Sequence, residues 1–266
     1  MKKWIVADLD GTLVHQNQIS KEDKDTVSTL QKNGYIFTIA TGRHYTSAIK
    51  IVKELEIAFP VICNNGALVI DPVSNRIYSE HLLSSSTVKE IMNQCNLIGI
   101  HYLLYTKKRV IGTAQAKAKL LEHIGDVPID EVANPFMDEH LDEGILKILM
   151  IENDTDKRTQ IQQKLKSFKD ISHVASNTNF IDVGSKQSSK GNALAFLAKH
   201  LVLPLSSCIA IGDQENDTSM LVRAGIGIAM GNAVDSLKDI ADYVTAPYSE
   251  HGFSQAIDAF VIKTRQ

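Results

Sequence analysis

Three cysteines in 266 residues are too few, and too far apart, to hold a fold together. Cys63, Cys95 and Cys208 are odd in number, which excludes a disulfide framework and a cysteine-built zinc site. They read as buried thiols in a reducing compartment, and nothing around them would activate a thiolate. Long apolar runs are also missing, and none approaches the roughly 20 residues that cross a bilayer. The opening Met1-Lys-Lys-Trp-Ile-Val-Ala runs straight into Asp8, which leaves no room for a secretory core, so a cytoplasmic location is expected. Charge of one sign is not in excess: 28 Lys and Arg against 31 Asp and Glu give −3. No basic stripe with interleaved aromatics occurs, so neither nucleic acid nor a membrane is an expected partner. The nine histidines lack metal-ligand spacing. His15 and His44 only trail two of the motifs described below; they read as solvent-facing, with the rim of a pocket as the alternative. Repeats and low-complexity tails are absent.

What is present suits a large buried core. Hydrophobic residues make up 44% of the chain, and the length fits a core domain plus an inserted module. The first 81 residues alternate strand and helix. Strand 3–8 precedes a helix opened by Ser20, with Asp23 three residues on, and closed by Gly34. Tyr35–Ala40 and Pro60–Cys63 read as buried strands, and a hairpin turns through Asp71-Pro-Val-Ser-Asn75. From Ser188 the alternation resumes, with helices at 190–200, 216–224 and 235–240 and a strand ending at Ile211. Repeated βα units predict a parallel sheet covered on both faces, an α/β core formed by 1–81 and 188–266. The intervening 82–187 mix strand pairs with two or three helices. They read as a small inserted α+β domain that splits the core.

Ligands of open parallel sheets gather at the carboxyl ends of the strands. Four such ends here carry polar residues. Strand 3–8 ends in Asp8-Leu-Asp10-Gly-Thr, and strand alternation points Asp8 and Asp10 the same way. Two neighbouring carboxylates repel unless a cation lies between them or one holds a proton, and a hard oxygen-seeking ion such as Mg²⁺ fits. Asp8 is positioned to attack phosphorus and Asp10 to move protons. The plainer alternative is a strand end with an Asp-Gly turn. Thr41-Gly42 offers a hydroxyl and an open backbone N–H at a helix start, where phosphate oxygens bind well, although a simple Thr cap has the same look. Lys190-Gly191 opens a helix, a poor place for a cation unless an anion is near; otherwise it is surface charge. Gly212-Asp213-Gln-Glu-Asn216-Asp217 sets three acids in five residues after a buried strand, which is costly without a cation or donors. Asp213 is the third metal candidate. Asn216 is a phosphate donor, and Asp217 is a partner that orients Lys190 or a metal-bound water. Asn64-Asn65-Gly66 reads mainly as a turn, with Asn65 a candidate substrate contact.

Taken together and in this order, Asp-Leu-Asp-Gly-Thr-Leu, Ala-Thr-Gly-Arg, Lys-Gly-Asn-Ala-Leu and Gly-Asp-x-x-Asn-Asp resemble the haloacid dehalogenase-like hydrolase superfamily. The late insertion, between Asn64-Asn65-Gly66-Ala67 and Lys190, resembles that of its Cof-type phosphatases. The resemblance covers nearly the whole chain, but matches the cap only in layout. It implies a Rossmann-like core with a mobile α/β cap and Mg²⁺-dependent hydrolysis of small phosphate monoesters through an aspartyl-phosphate. It makes Asp8 nucleophile and Asp10 acid and base. Mg²⁺ falls to Asp8, to Asp213 and to the Asp10 backbone carbonyl. Phosphate falls to Leu9, Thr41, Gly42, Lys190 and Asn216. Arg43, Asn65, Asp182 and Lys186 are candidate substrate contacts; Lys186 gives a more basic lead-in to Lys190 than the family pattern. The expected partner is a small phosphorylated metabolite, with the oligomeric state open. The competing readings are a phosphotransferase or mutase of the same chemistry, and a catalytically weak phosphate-binding regulatory protein. Asp8 with Asp10 argues against a dehalogenase, because an alkyl halide needs neither an acid nor Mg²⁺.

Overall fold

The computed structural model describes residues 3–121, 128–177 and 179–262. Residues 122–127, within the span read as the inserted domain, lie outside them. In chain order the elements begin with β1 (Trp4–Ala7), α1 (Lys21–Lys32), β2 (Ile36–Ile39), α2 (Tyr45–Glu54), β3 (Val61–Cys63), β4 (Leu68–Ile70) and β5 (Ile77–Glu80). They continue with α3 (Ser85–Ile98), β6 (His101–Thr106), β7 (Val110–Gly112), α4 (Ala114–Leu121), β8 (Ile129–Glu131), α5 (Asp138–Leu141), β9 (Ile145–Ile151), α6 (Thr155–Leu165), β10 (Ile171–Asn177) and β11 (Phe180–Ser185). The chain closes with α7 (Lys190–His200), β12 (Cys208–Gly212), α8 (Thr218–Leu221), β13 (Ile226–Ala229), α9 (Asp235–Lys238), β14 (Tyr243–Val244) and α10 (Gly252–Ile257). No described helix is long and apolar enough to cross a membrane.

Two compact units form. The first holds residues 1–42, 48–78 and 189–266. Its main sheet is parallel, in the order β14-β13-β12-β1-β2. The strands are continuous apolar runs because both faces are covered: Trp4, Ile5, Val6 and Ala7 of β1 are all buried. Strand order reverses at β1, with later strands on one side and β2 on the other, the kind of switch point where open α/β sheets bind ligands. β3 extends the sheet past β2 through a parallel bridge between Ala40 and Ile62, and Thr41 N–H donates to the Ile62 carbonyl at 2.9 Å. β3 then turns back antiparallel into β4 and β5. The turn is made by Asn64, Asn65 and Gly66, all with positive φ (51°, 55° and 92°). The Ser20 hydroxyl caps α1, accepting from Asp23 N–H at 3.0 Å, and Gly34 follows the helix at φ 79°. The helix expected at 216–224 is instead a 3₁₀ turn, Glu215–Asp217, running into α8, because Asp217 folds back onto the backbone ahead of it.

The second unit holds residues 43–47 and 79–188. A six-stranded sheet, β10-β11-β9-β6-β7-β8, is antiparallel except where β7 pairs β8. On one face Leu104, Ile148, Met150, Ile181 and Val183 meet Val88, Ile91 and Met92 of α3 and Ile161 and Leu165 of α6. On the other, Leu103, Leu149, Ile151 and Phe180 meet Ala116 and Leu120 of α4. Lys147 interrupts β9 on this second face and is still buried. Its Nζ lies 2.6 Å from Asp182 Oδ1 and 4.3 Å from the Tyr105 ring centre. All three cysteines are buried free thiols, and burial pushes Cys63 and Cys95 up to about 12.

Candidate active site

Asp8 follows β1 directly and Asp213 follows β12, its parallel neighbour, so adjacent strand ends set the two carboxylates side by side. Asp217 joins them from the 3₁₀ turn. One oxygen of each of Asp8, Asp213 and Asp217 lies within 4.8 Å of the others, and among the described residues these are the carboxylates grouped closely enough to hold an ion. All three are buried.

Lys190 is the first residue of α7, capped by the Ser189 hydroxyl, which accepts from Asn192 N–H at 3.0 Å. Its side chain does not reach solvent. It is wholly buried, with Nζ donating to Asp8 Oδ1 at 2.6 Å and to Asp217 Oδ1 at 2.5 Å. The surface-charge alternative for Lys190 is therefore overturned. The other Asp217 oxygen accepts from the backbone N–H groups of Asp213 (2.9 Å) and Gln214 (3.0 Å). Asp217 is thus fully engaged by protein donors and fixes the ammonium. Asp213 accepts from the Thr12 hydroxyl at 3.2 Å and the Gln214 amide at 3.0 Å.

Glycines let these groups approach. A Cβ on Gly11, at φ +84°, would collide with the Asp213 carboxylate, and one on Gly212 with that of Asp217. Leu9, fully buried, offers its carbonyl to the N–H groups of Thr12, Leu13 and Val14, folding the chain tightly after Asp8. Asp10 projects outward with an exposed side chain, and it is not part of the carboxylate group.

The remaining first-unit candidates lie at the next strand ends. Thr41 is buried and its carbonyl accepts from Asn65 N–H at 3.0 Å. Gly42 faces the Asn65 amide, 3.0 Å from where a Cβ would stand, and Asn216 Nδ2 donates to Asn65 Oδ1 at 3.0 Å. Gly42, Asn65 and Asn216 are therefore brought together. Arg43, Asp182 and Lys186 belong to the second unit. Arg43 is half-buried, Asp182 is paired with Lys147, and Lys186 is exposed. Sequence reasoning did not pick out Thr12, Gln214 or Asn232, whose amide donates to the Gly11 carbonyl at 2.9 Å. Thr12 was legible in principle, two residues past Asp10 inside the motif. Asn232 had only its Gly-Asn setting.

The electrostatics are unbalanced: three buried carboxylates face one lysine. Burial holds Asp8 well above the ordinary carboxylate range, with Asp217, Asp213 and Asp10 adding repulsion and Lys190 pulling the other way. Burial and Asp217 raise Asp213 to about 6, against the donors Gln214 and Thr12 and the Lys190 charge. For Lys190 burial favours the neutral amine, but Asp217 and Asp8 outweigh it and keep the ammonium charged. An all-oxygen donor set short of positive charge fits a hard divalent cation such as Mg²⁺.

A family model described as haloacid dehalogenase-like hydrolase matches residues 5–257. The phosphatase YwpJ of Bacillus subtilis is 31% identical over 281 residues, covering 94% of this chain and 96% of that protein. The 5-amino-6-(5-phospho-D-ribitylamino)uracil phosphatase YwtE of the same organism is 29% identical, covering 96% and 97%. The crystal structure of a haloacid dehalogenase-like hydrolase from Bacteroides thetaiotaomicron superposes with a TM-score of 0.85 at 26% identity, covering 97% of this chain and 99% of that one. The chain belongs to the haloacid dehalogenase-like hydrolases and, with the phosphatases among them, to the phosphoric monoester hydrolases.

Proposed function

We propose that the protein hydrolyses small phosphate monoesters, such as sugar phosphates or phosphorylated cofactors, through an aspartyl-phosphate on Asp8. The observation that carries this is the buried Asp8–Lys190–Asp217 arrangement beside Asp213. Lys190 holds one Asp8 oxygen at a strand end and places a fixed cation where a transferring phosphoryl group would arrive. In the first step an Asp8 oxygen bonds to phosphorus, the ester P–O bond breaks, and Asp10 gives its proton to the leaving oxygen. In the second, water attacks the same phosphorus while Asp10 takes its proton. The Asp8 O–P bond then breaks and inorganic phosphate leaves. The exposed position of Asp10 suits a group that must reach the leaving oxygen. Thr41, Gly42, Asn216, Lys190 and the Leu9 backbone hold the phosphoryl oxygens. Asp8, Asp213 and the Asp10 carbonyl would hold Mg²⁺, which when bound neutralises charge on the carboxylates and the phosphate. Asp217 orients Lys190.

Residues 82–187 serve in this reading as a cap that selects the leaving group. Support comes from the separate core of the second unit and from its place in the chain, between Asn65 and Lys190. YwtE, named for a phosphorylated ribityl compound, supports a small phosphorylated metabolite as substrate.

The test is a panel of phosphate esters with Mg²⁺, comparing wild type with Asp8→Asn and Asp10→Asn. Asp8→Asn should fold and lose turnover, because an amide cannot attack phosphorus. Asp10→Asn should slow turnover by roughly 10² or more. Near-native kcat in Asp8→Asn would sink the nucleophile assignment. Phosphate bound but never released from any ester would favour the regulatory reading, and phosphate appearing on a second sugar hydroxyl the mutase.

A further inference from the structure

The five residues Arg43–Ser47 group with the second unit, whereas Thr41 and Gly42 before them and residues 48–78 after them belong to the first. The chain thus enters the second unit once more than an insertion requires. The expected solvent-facing His44 is what anchors this entry. Its side chain is 1% exposed, and its ring stands edge-on to Tyr105 of β6, centroids 6.0 Å apart. Nε2 lies 2.9 Å from the Thr106 carbonyl oxygen. Nδ1 lies 3.2 Å from the backbone N of Thr46 and 2.8 Å from its hydroxyl.

These partners fix the tautomer. A carbonyl only accepts, so Nε2 carries the hydrogen; a backbone N–H only donates, so Nδ1 must be bare. Only the neutral ring satisfies both. The anchor itself is braced. The Thr106 hydroxyl reaches Glu143 at 2.8 Å and accepts from the backbone N–H groups of Lys108 and Arg109, both at 3.1 Å. Glu143 in turn pairs with Arg109 at 2.6 Å.

We infer that His44 is a positioning residue: by donating Nε2–H to the Thr106 carbonyl it fixes the segment leaving Gly42, and so sets the Thr41–Gly42 backbone on which the substrate's phosphoryl group is held. This rests on the proposed reading of Thr41 and Gly42 as phosphate contacts. Two consequences separate it from a cap contact. The effect falls on the phosphate common to every substrate, not on the leaving group. It also requires the neutral imidazole. Tyr105 and Thr106 of β6 and Thr46 of α2 contact the ring, and Lys147 of β9, paired with Asp182 of β11 and seated over the Tyr105 ring, acts on it through its charge. Burial first, then Lys147, holds the His44 pKa below the ordinary histidine range, against the pull of the Thr106 bond. Acidification through that pKa puts a proton on Nδ1, against Thr46 N–H, and loosens the anchor.

The experiment uses the full chain with Mg²⁺, p-nitrophenyl phosphate as substrate and inorganic phosphate as competitive inhibitor. His44→Ala should raise KM and the phosphate inhibition constant together, about five- to tenfold for one buried hydrogen bond, with kcat little changed. His44→Gln, whose amide N–H reaches about as far as Nε2, should restore both to within about twofold, and His44→Asn, too short, should not. The wild-type inhibition constant should rise on an acid limb that His44→Gln lacks. An unchanged inhibition constant in His44→Ala, equal behaviour of the Gln and Asn variants, or one shared pH profile would overturn the role. Should His44→Ala not fold, the Gln and Asn pair decides alone. Wild type without turnover would instead refute the phosphatase reading itself.

Discussion

Replacing Lys190 with methionine keeps most of the volume and removes the charge. The structure then sets the cost. The Asp8 side chain is 7% exposed and that of Asp217 fully buried, and both lose the ammonium that lies 2.6 and 2.5 Å away. Stranding one partner of a buried ion pair costs about 3–5 kcal/mol. The chain's only relief is to keep a proton on one carboxylate. Doing so at pH 7.5 against an unfolded pKa near 3.9 costs about 5 kcal/mol, which caps the loss; at pH 5 it costs about 1.5 kcal/mol. The sign follows. Burial already holds Asp8 above its unfolded value, and losing Lys190, the one charge that pulls it down, raises it further, so the variant's stability is fullest below the unfolded pKa and is lost as pH rises through the folded one. Urea unfolding in chelator, followed by the single tryptophan, reads this out. Trp4 is buried in β1, with its indole N–H on the Pro204 carbonyl at 3.2 Å, and so reports the first unit. The variant should lose about 3–5 kcal/mol at pH 7.5 and markedly less at pH 5. A loss under about 1 kcal/mol at pH 7.5, or the same loss at both pH values, would show that Lys190 does not neutralise this cluster.

Asp213→Ala should raise the Mg²⁺ concentration needed for half-maximal turnover at least about tenfold, read by titrating Mg²⁺ into chelator-stripped enzyme. An unchanged requirement would move the third metal contact elsewhere, with Asp217 the first suspect. Asp182→Ala strands Lys147 inside the second unit, and it should cost about 3–5 kcal/mol in unfolding of that unit followed by far-ultraviolet circular dichroism. Double replacement of Asp182 and Lys147 by apolar residues should recover most of the loss, and equal instability of single and double variants would argue against an energetic pair. Substrate preference should change in these variants while the Mg²⁺ requirement stays constant, since the metal candidates all lie in the first unit.

The parallel sheet was legible because its strands are short apolar runs ending in Asp, Thr-Gly or Asn-Asn-Gly, and the alternation with helices leaves few other topologies. The grouping of Asp8, Asp213 and Asp217 follows from that topology: β1 and β12 are neighbours although some 200 residues apart in the chain. Two features were not legible. A lysine at the first position of a helix hints at a nearby anion, but not that the side chain is wholly buried between Asp8 and Asp217. That depends on close approaches made by glycines: a Cβ on Gly212 would strike the Asp217 carboxylate, and one on Gly191 the Ser219 carbonyl. His44 reads as one more polar residue after a motif, because its partner Thr106 lies 62 residues on, in a strand whose register local pattern does not encode.

The site also shows where the fold concentrates its costs. Two of its glycines, Gly11 and Gly66, have positive φ, and Gly66 turns where a Cβ would meet the Ser189 carbonyl at the start of α7. Any larger residue at Gly66 would push α7 away and carry Lys190 with it. The backbone strain of the Asn64-Asn65-Gly66 turn and the burial of Lys190 are thus one arrangement: a left-handed turn at the end of β3 leaves room for the helix start that delivers the ammonium. The ammonium reaches two of the three clustered carboxylates, so among the described residues the cluster carries more acid groups than the one ammonium beside it can balance, and an added cation would complete it. Such a site is stabilised by whatever binds it with positive charge. The stability of the first unit should therefore track divalent cation concentration by mass action, gaining about 2.7 kcal/mol at a hundred times the dissociation constant. The urea midpoint read from Trp4 should rise with Mg²⁺ in the wild type and respond weakly in Asp213→Ala. An equal rise in both would mean that the cation binds outside this cluster.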